Sequence, residues 1–327
     1  MRSLNDSALA RLQEAVDAPD LEGTRYRLIA KLGQGGMGSV YQVEDRTLAR
    51  DVALKVINLA DGRNEVAARL LQEAQVIARL EHPGIIPVHD AGALADGRPY
   101  YTMKLVQGKR LEDYVREVDV VSDRLRIFLR ICDPVAFAHA RGVLHRDLKP
   151  ANVMVGLFGE VLVMDWGLSK LLTSGAIGSD GAAKPADPSL PDKCSAPGTD
   201  HGSVLGTLGY MSPEQASGGG QLDPRADIYS LGAILEFLLG TAGSGRVPRA
   251  LSAICEKAMA AERNDRYSSV PDLAADVAHF LDGLPVTAYP ESAFARAWRW
   301  ITRNRTWILL LLAYVVTRAL LIFFRSR

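Results

Sequence analysis

Residues 143–152 read VLHRDLKPAN, and this stretch constrains the chain more than any other. It carries a carboxylate (Asp147), an ammonium (Lys149) and an amide (Asn152) within six positions. An apolar helical pattern over 122–141 runs into it. Two short β-rich runs, 153–155 and 161–164, follow it around a turn at 156–159. A polar loop between two core-forming elements has fixed ends, so its three side chains are delivered to one place. Phosphoryl transfer needs an acceptor for the incoming hydroxyl's proton, a cation near the migrating group and an oxygen ligand for Mg²⁺. Asp147, Lys149 and Asn152 offer these in that order. The plainer reading of the stretch alone is a polar surface loop with a helix-capping aspartate.

The chain is large enough for more than a loop. Its 327 residues, 48% of them hydrophobic, can bury a substantial core and divide into two lobes. Lysine plus arginine and aspartate plus glutamate each number 38, so no net charge draws the chain to nucleic acid. Cys132, Cys194 and Cys255 are far apart. They suggest neither a disulfide framework nor a zinc site, and they fit a reducing cytoplasm. The first twenty residues are charged throughout, unlike a secretory signal. Leu9, Leu12, Ala15 and Val16 fall at helical spacing within 4–16 before a break at 17–20. A short amphipathic helix is expected there, as a peripheral brace.

Residues 26–32, 39–43 and 51–57 read as strands, and Gly33-Gln34-Gly35-Gly36-Met37-Gly38 stands between the first two. The same glycine spacing marks a Rossmann dinucleotide site, but there it opens a helix. Here the β-rich SVYQV follows, so strand–turn–strand is expected and a Rossmann binding module is disfavoured. Gly33, Gly35 and Gly38 would let backbone N–H groups approach phosphate oxygens without Cβ obstruction. Residues 66–80 are helical by periodicity and contain Glu73. Glu81 adjoins the break at His82-Pro83-Gly84 and cannot be mid-helix. Residues 85–88 and 100–105 are expected as two further strands joined by the turn 95–99. The second is expected to be the sheet edge and to lead into a hinge at 106–108. A helix over 111–118 follows. Residues 168–205 are rich in Gly, Ser, Ala, Pro and Asp, with no core-forming pattern. Residues 223–239 form an apolar helix, and 251–260 and 270–281 two closing ones.

Six motifs in this order resemble those of protein kinases. They are the glycine loop, Val52-Ala53-Leu54-Lys55 in place of V-A-I-K, the helix-C glutamate at Glu73, HRDLKPAN, Asp165-Trp166-Gly167 in place of D-F-G, and Ser212-Pro213-Glu214 in place of A-P-E. Over residues 26–282 the chain looks like a bacterial Hanks-type (eukaryotic-like) serine/threonine protein kinase. The resemblance implies an α+β, bilobal fold. The N-lobe, 26–105, would be an antiparallel sheet with helix C. The C-lobe, 106–282, would be mainly helical, with an activation segment at 165–214 and an N-terminal extension at 1–25.

The resemblance also implies roles. Asp147 would orient the substrate hydroxyl and accept its proton, and Lys149 would neutralise the transferring group. Asn152 and Asp165 would hold Mg²⁺, or Mn²⁺ in its place. Lys55, set by Glu73, would hold the α and β phosphates of ATP, with Gly33, Gln34, Gly35, Gly36 and Gly38 around them. Val40, Ala53 and Met154 would sandwich adenine behind the gatekeeper Met103, and backbone groups from Lys104 to Val106 would meet its edge. Ile77, Val88, His145 and Trp166 would stack as a spine seated on Asp227, and Arg266 would pair with Glu214. Lys149 and Thr207 indicate serine/threonine rather than tyrosine substrates. Phosphorylation at Thr199 or Ser203 would neutralise Arg146, and a homodimer would allow trans-autophosphorylation. Two departures stand out. Trp166 replaces Phe, and a segment with a further helix is missing after Leu239, where substrates ordinarily dock. The alternative is a membrane-tethered pseudokinase scaffold. No catalytic position is substituted, which disfavours it.

The tail differs in character. Residues 283–305 form a basic juxtamembrane segment, with Trp298 and Trp300 among Arg296, Arg299, Arg303 and Arg305. The apolar run 306–324 follows. Of the 18 residues from 307 on, 12 are Leu, Ile, Val or Phe, together contributing on the order of −4 to −7 kcal/mol to insertion. Arg318 opposes this by at most about 3 kcal/mol and can snorkel. A spanning helix is expected, with its arginine-rich N-terminal side in the cytoplasm, at the inner membrane, and with no external sensor domain. An interfacial docking helix is the alternative.

Overall fold

The computed structural model describes residues 18–35, 38–57, 74–75, 77–166, 209–217, 223–241 and 247–290, with Tyr314, Thr317 and Arg318. The strand-forming sequence of the first lobe builds β1 (Tyr26–Gly35), β2 (Gly38–Asp45), β3 (Arg50–Ile57), β4 (Val88–Ala93) and β5 (Pro99–Lys104). They form one antiparallel sheet in the order β1-β2-β3-β5-β4. The two-residue period sorts β3 by face. Val52, Leu54 and Val56 pair with Val43, Tyr41 and Ser39 on one side of the sheet. Ala53 and Lys55 turn to the other. Gly35 pairs with Gly38 across the glycine turn, so the glycine motif links two strands, as expected.

The second lobe begins at β6 (Gly108–Arg110) and α1 (Leu111–Tyr114), which passes into a 3₁₀ turn at Val115–Glu117. The long α2 (Val121–His139) leads to the HRDLKPAN loop. A 3₁₀ turn, Pro150–Asn152, ends that loop and hands the chain to β7 (Val153–Gly156) and β8 (Val161–Val163). The order β6-β7-β8 makes a second small sheet. Then come α3 (Pro213–Ala216), α4 (Arg225–Gly240), α5 (Arg249–Ala258) and α6 (Val270–Leu281). Leu125, Phe128, Ile131 and Val135 of α2 share one core with Ile228, Leu231 and Leu238 of α4 and Leu273 and Val277 of α6. Gly232 lies inside α4, where glycine costs about 1 kcal/mol against alanine. A Cβ there would come within 2.7 Å of the Ala258 Cβ, so the glycine permits the close approach of α4 and α5.

Several expectations change. The strand expected at 85–88 runs from Val88 to Ala93. Residues 82–85 instead form a turn, and Ile85 makes an isolated parallel bridge to Val163 of β8. The Val163 N–H donates to the Gly84 carbonyl at 2.8 Å, which stitches the two lobes together. β5 is an inner strand between β3 and β4, and β4 is the edge. The edge is hidden in the sequence because β4, VHDAGA, alternates half-buried with exposed residues and lacks a strong apolar signal. β6 was not expected at all. Of the helix expected at 66–80, Ala74, Gln75, Ile77 and Ala78 are described and helical. Glu73, Gly36, the 4–16 helix and the 168–205 insert with Thr199 and Ser203 lie outside the described residues, as does Thr207. So does the 306–324 run apart from three residues. Among the described residues no helix is long and apolar enough to cross a membrane.

One buried charge holds the C-terminal end of α4. Arg124 of α2 is only 1% exposed. Its Nε donates to the Val118 carbonyl, its Nη1 to the Leu238 carbonyl and Thr241 Oγ1, and its Nη2 to the Val115 and Thr241 carbonyls. The fork thus clasps the C-terminal end of α4, the negative pole of that helix's dipole. Burial lowers its pKa from the ordinary arginine value, with the nearby Asp119 acting the other way. Arg124→Met leaves those carbonyls unpaired and costs on the order of 3 kcal/mol. Arg124→Lys recovers little of this, because an ammonium cannot match five donors in a fixed fork. Thermal melts followed by circular dichroism should show both variants melting lower, Arg124→Met by about 6–12 °C.

Candidate active site

The loop after α2 is pinned from beneath. Asp227, in the first turn of α4, is 1% exposed. Its Oδ2 accepts the His145 backbone N–H at 2.8 Å and the His139 Nε2–H at 2.7 Å. Its Oδ1 accepts the Arg146 backbone N–H at 2.8 Å. Asp227 therefore caps the loop's amides. It is not the helix's own N-cap. Just ahead of the helix, Asp223 accepts the Arg225 N–H at 2.8 Å. Burial pushes the Asp227 carboxyl up, but the hydrogen bonds from the His139 ring and the His145 amide outweigh it and hold its pKa below the ordinary aspartate value. The clamp allows Arg146 a left-handed backbone, φ 66°, which costs a non-glycine residue about 1–2 kcal/mol.

The strained turn aims the functional side chains. Lys149 Nζ lies 3.0 Å from Asp147 Oδ2. Asn152, nearly buried, donates from Nδ2 to the Asp147 carbonyl at 2.8 Å and to Asp147 Oδ2 at 3.1 Å. All three residues predicted from the loop are thus brought together on one carboxylate. Because Nδ2 faces Asp147, the amide oxygen is the end of Asn152 suited to a cation.

His145 is wholly buried and links this loop to the next. Its Nδ1 accepts the Asp147 N–H at 3.3 Å, so the proton sits on Nε2, which donates to the Met164 carbonyl at 2.9 Å. Burial lowers its pKa and keeps the ring neutral. It packs on Trp166, centroids 4.8 Å apart. The Trp166 indole N–H also donates to the Val163 carbonyl at 3.1 Å, a bond that phenylalanine could not make. Of the expected spine, His145 meets Trp166, while Ile77 is buried and Val88 half-buried in the core that holds Trp166.

Asp165 has a left-handed backbone, φ 55°, which points its carboxylate across the cleft. Lys55 Nζ meets its Oδ1 at 2.5 Å. Burial pushes the carboxyl up, yet the Lys55 ammonium above all brings its pKa below the ordinary aspartate value. Burial likewise opposes the Lys55 charge, while Tyr101 and Asp165 raise it. Tyr101 sits opposite Lys55 in the β3–β5 register, the ammonium 5.8 Å from its ring centre. Tyr101 was not singled out from sequence. Its place two residues before Met103 on the strand beside β3 is the signal that could have found it.

The remaining predicted contacts divide. Ala53 pairs with Met103 across β3 and β5, and both share an apolar cluster with Val40 and Val106. Met154 is half-buried on β7 and pairs with Leu162. The Lys104 backbone N–H is spent on the Pro87 carbonyl at 3.2 Å, so it is not a donor to an adenine edge. Arg266 donates to both oxygens of Glu214, at 2.8 and 2.9 Å, as expected. Gln215, not foreseen, donates to the Arg146 carbonyl at 3.0 Å and ties that segment to the catalytic loop.

The residues fit the ligands the fold implies. A Cβ added at Gly33 would meet no atom of the described residues within 4 Å, which leaves room beside the loop. One carboxylate and one amide oxygen are hard donors suited to Mg²⁺. Among the described residues no cluster of three or more histidines, cysteines or carboxylates offers a softer metal site.

The pinned loop carries a pH signature. A carboxyl whose folded-state pKa is depressed adds stability above its unfolded value, and loses it as pH falls through the folded one. Asp227→Asn turns one acceptor oxygen into a donor facing an N–H. At neutral pH it should cost on the order of 3 kcal/mol. Urea unfolding from pH 7 to 3 should show the gap to the parent narrowing below about pH 4.

The protein kinase domain family matches residues 26–284. A serine/threonine-protein kinase PknD of Protochlamydia amoebophila is 35% identical over 301 residues, covering 79% of this chain and 30% of that protein. The PknD of Chlamydia trachomatis serovar D is 36% identical over 303 residues, covering 80% and 32%. The chain spans about a third of the length of these curated relatives. The crystal structure of the Mycobacterium tuberculosis PknI kinase domain superposes with a TM-score of 0.55 at 28% identity, over 78% of this chain and 95% of that one. The bilobal fold, the pinned loop and the family match agree: this chain belongs to the protein kinase family.

Proposed function

We propose that the chain is a serine/threonine protein kinase that transfers the γ-phosphoryl group of ATP to protein hydroxyls. The observation that carries this reading is the Asp147 carboxylate, held between the Lys149 ammonium and the Asn152 amide. Asp147 orients a serine or threonine hydroxyl and accepts its proton as the new bond to phosphorus forms. Lys149 offsets negative charge building on the group in flight. Lys55 exchanges part of its contact with Asp165 for the α and β phosphates. Asp165 and the Asn152 amide oxygen would hold Mg²⁺, or Mn²⁺ in its place. The bound ion would neutralise the phosphate oxygens and fix their geometry. Met103, Ala53, Val40 and Val106 form the apolar wall for adenine.

The names of the curated relatives support the choice of serine and threonine, as does Lys149 in the loop. Autophosphorylation at Thr199 or Ser203, within a homodimer, is part of the same reading. So is anchoring of the domain at the inner membrane by 306–324, with 283–305 on the cytoplasmic side. The composition of that run supports it.

Radiolabelled ATP with the full chain tests the reading. Asp147→Asn should cut labelling by about 10³-fold or more, while nucleotide binding, read by thermal shift with ATP and Mg²⁺, persists. Labelling unchanged by the substitution would sink the assignment. Binding with no labelling in the parent would favour the scaffold.

A further inference from the structure

The chain leaving β8 is tied on both sides until it reaches Asp165. The Val163 N–H donates to the Gly84 carbonyl at 2.8 Å, and the Val163 carbonyl accepts the Ile86 N–H at 3.3 Å. The Met164 N–H donates to the Asn152 carbonyl at 2.9 Å, and the Met164 carbonyl accepts from His145 Nε2 at 2.9 Å. Asp165 then turns left-handed, φ 55°. Among the described residues neither its N–H nor its carbonyl has a backbone partner. A sparsely populated conformation lasts only where the surroundings impose it. The backbone at Asp165 does not impose it, so the next side chain has to.

Trp166 supplies the tie. Its side chain is 3% exposed and lies against the His145 ring. Its indole N–H returns to the Val163 carbonyl at 3.1 Å, the same oxygen that takes the Ile86 N–H. One acceptor therefore serves both the junction of the lobes and the turn that carries Asp165. Apolar packing is non-directional and leaves a ring free to rock. A hydrogen bond is directional and fixes the ring's rotation. The bond closes a short loop, Val163 to Trp166, with Asp165 at its bend. The bend cannot turn over unless the bond breaks and a large buried aromatic moves out into water.

We propose that Trp166 is a positioning residue for the metal site: its indole N–H locks the 163–166 turn and keeps the Asp165 carboxylate aimed into the cleft before any ligand arrives. The proposal rests on the reading of Asp165 as a metal-holding residue. Through the shared Val163 carbonyl the lock also joins that aim to residues 84–86, where the lobes meet. Phenylalanine would supply the packing without the lock. An off state made by turning residues 165–166 over then costs this chain the bond as well as the burial of the ring.

The test removes the N–H and keeps the shape. In the full chain, 3-benzothienylalanine at position 166 puts sulfur where the indole has N–H, and Trp166→Phe is a second variant should the first fold poorly by circular dichroism. Calorimetry then titrates Mn²⁺ into protein saturated with a non-hydrolysable ATP analogue. Loss of one hydrogen bond should weaken Mn²⁺ binding about fivefold, while binding of the analogue without metal does not weaken. A second readout is optical. With Trp298, Trp300 and Trp307 replaced by phenylalanine, Trp166 is the sole indole. Acrylamide should quench it poorly in the metal-free protein and equally poorly once Mg²⁺ and the analogue are added. A folded variant that melts lower yet binds Mn²⁺ like the parent would overturn the proposal, since the bond would then be structural alone. So would an indole that is open to acrylamide until the ligands bind. Neither readout needs phosphoryl transfer. A parent that fails to label protein while both readouts come out as stated overturns the kinase reading alone.

Discussion

The buried carboxylate of Asp227 is the contact on which the rest of the site depends. An ionised group with 1% exposure is stable only if its oxygens are satisfied, and three N–H groups from α2's end and the following loop satisfy them. That requirement fixes the backbone of His145 and Arg146, strained turn included. The strain then sets the direction in which Asp147, Lys149 and Asn152 leave the loop. The geometry of residues 145–152 is in this sense a by-product of burying one charge at the base of a helix.

From that base the polar contacts run outward in one connected path. His145 passes from the Asp147 amide to the Met164 carbonyl, next to Asp165. Asp165 reaches across to Lys55 on the sheet of the other lobe. Trp166 ties the same segment to Val163, whose N–H bonds Gly84 at the junction of the lobes. Gln215 and the Glu214–Arg266 pair fasten residues 212–217 to the same framework. The links are hydrogen bonds of 2.5–3.3 Å between partly or wholly buried groups, where water competes least and geometry is held most firmly. The tryptophan strengthens its link where phenylalanine would offer only packing.

The catalytic loop was legible because its residue types are unusual together and its flanking elements have strong periodic signals. The helices over 121–139, 225–240 and 270–281 stood out for the same reason. β4 and β6 did not. β4 is a half-exposed edge with polar residues, and β6 is three exposed residues, so neither carries a burial pattern along the chain. Arg124 reads as a surface arginine within a helix, and nothing local shows that five acceptors converge on it. The same holds for His139, Tyr101 and Gln215. Their partners lie 46 to 88 residues away, at positions that only the folded chain brings near.

Residue type and order along the chain set the chemical groups on offer. They set which groups are present, their order, the strand–turn–strand character of the glycine loop and the anionic, cationic and amide equipment of residues 147–152. These are local properties, carried by residue type and by periods of two and 3.6. The tertiary structure alone decided which groups meet. It made β5 an inner strand, buried both faces of the first-lobe sheet, paired Lys55 with Asp165 and put Arg124 at the end of α4. Those choices follow from satisfying buried charges and covering apolar faces, conditions that involve the whole chain at once and leave no mark on any one segment.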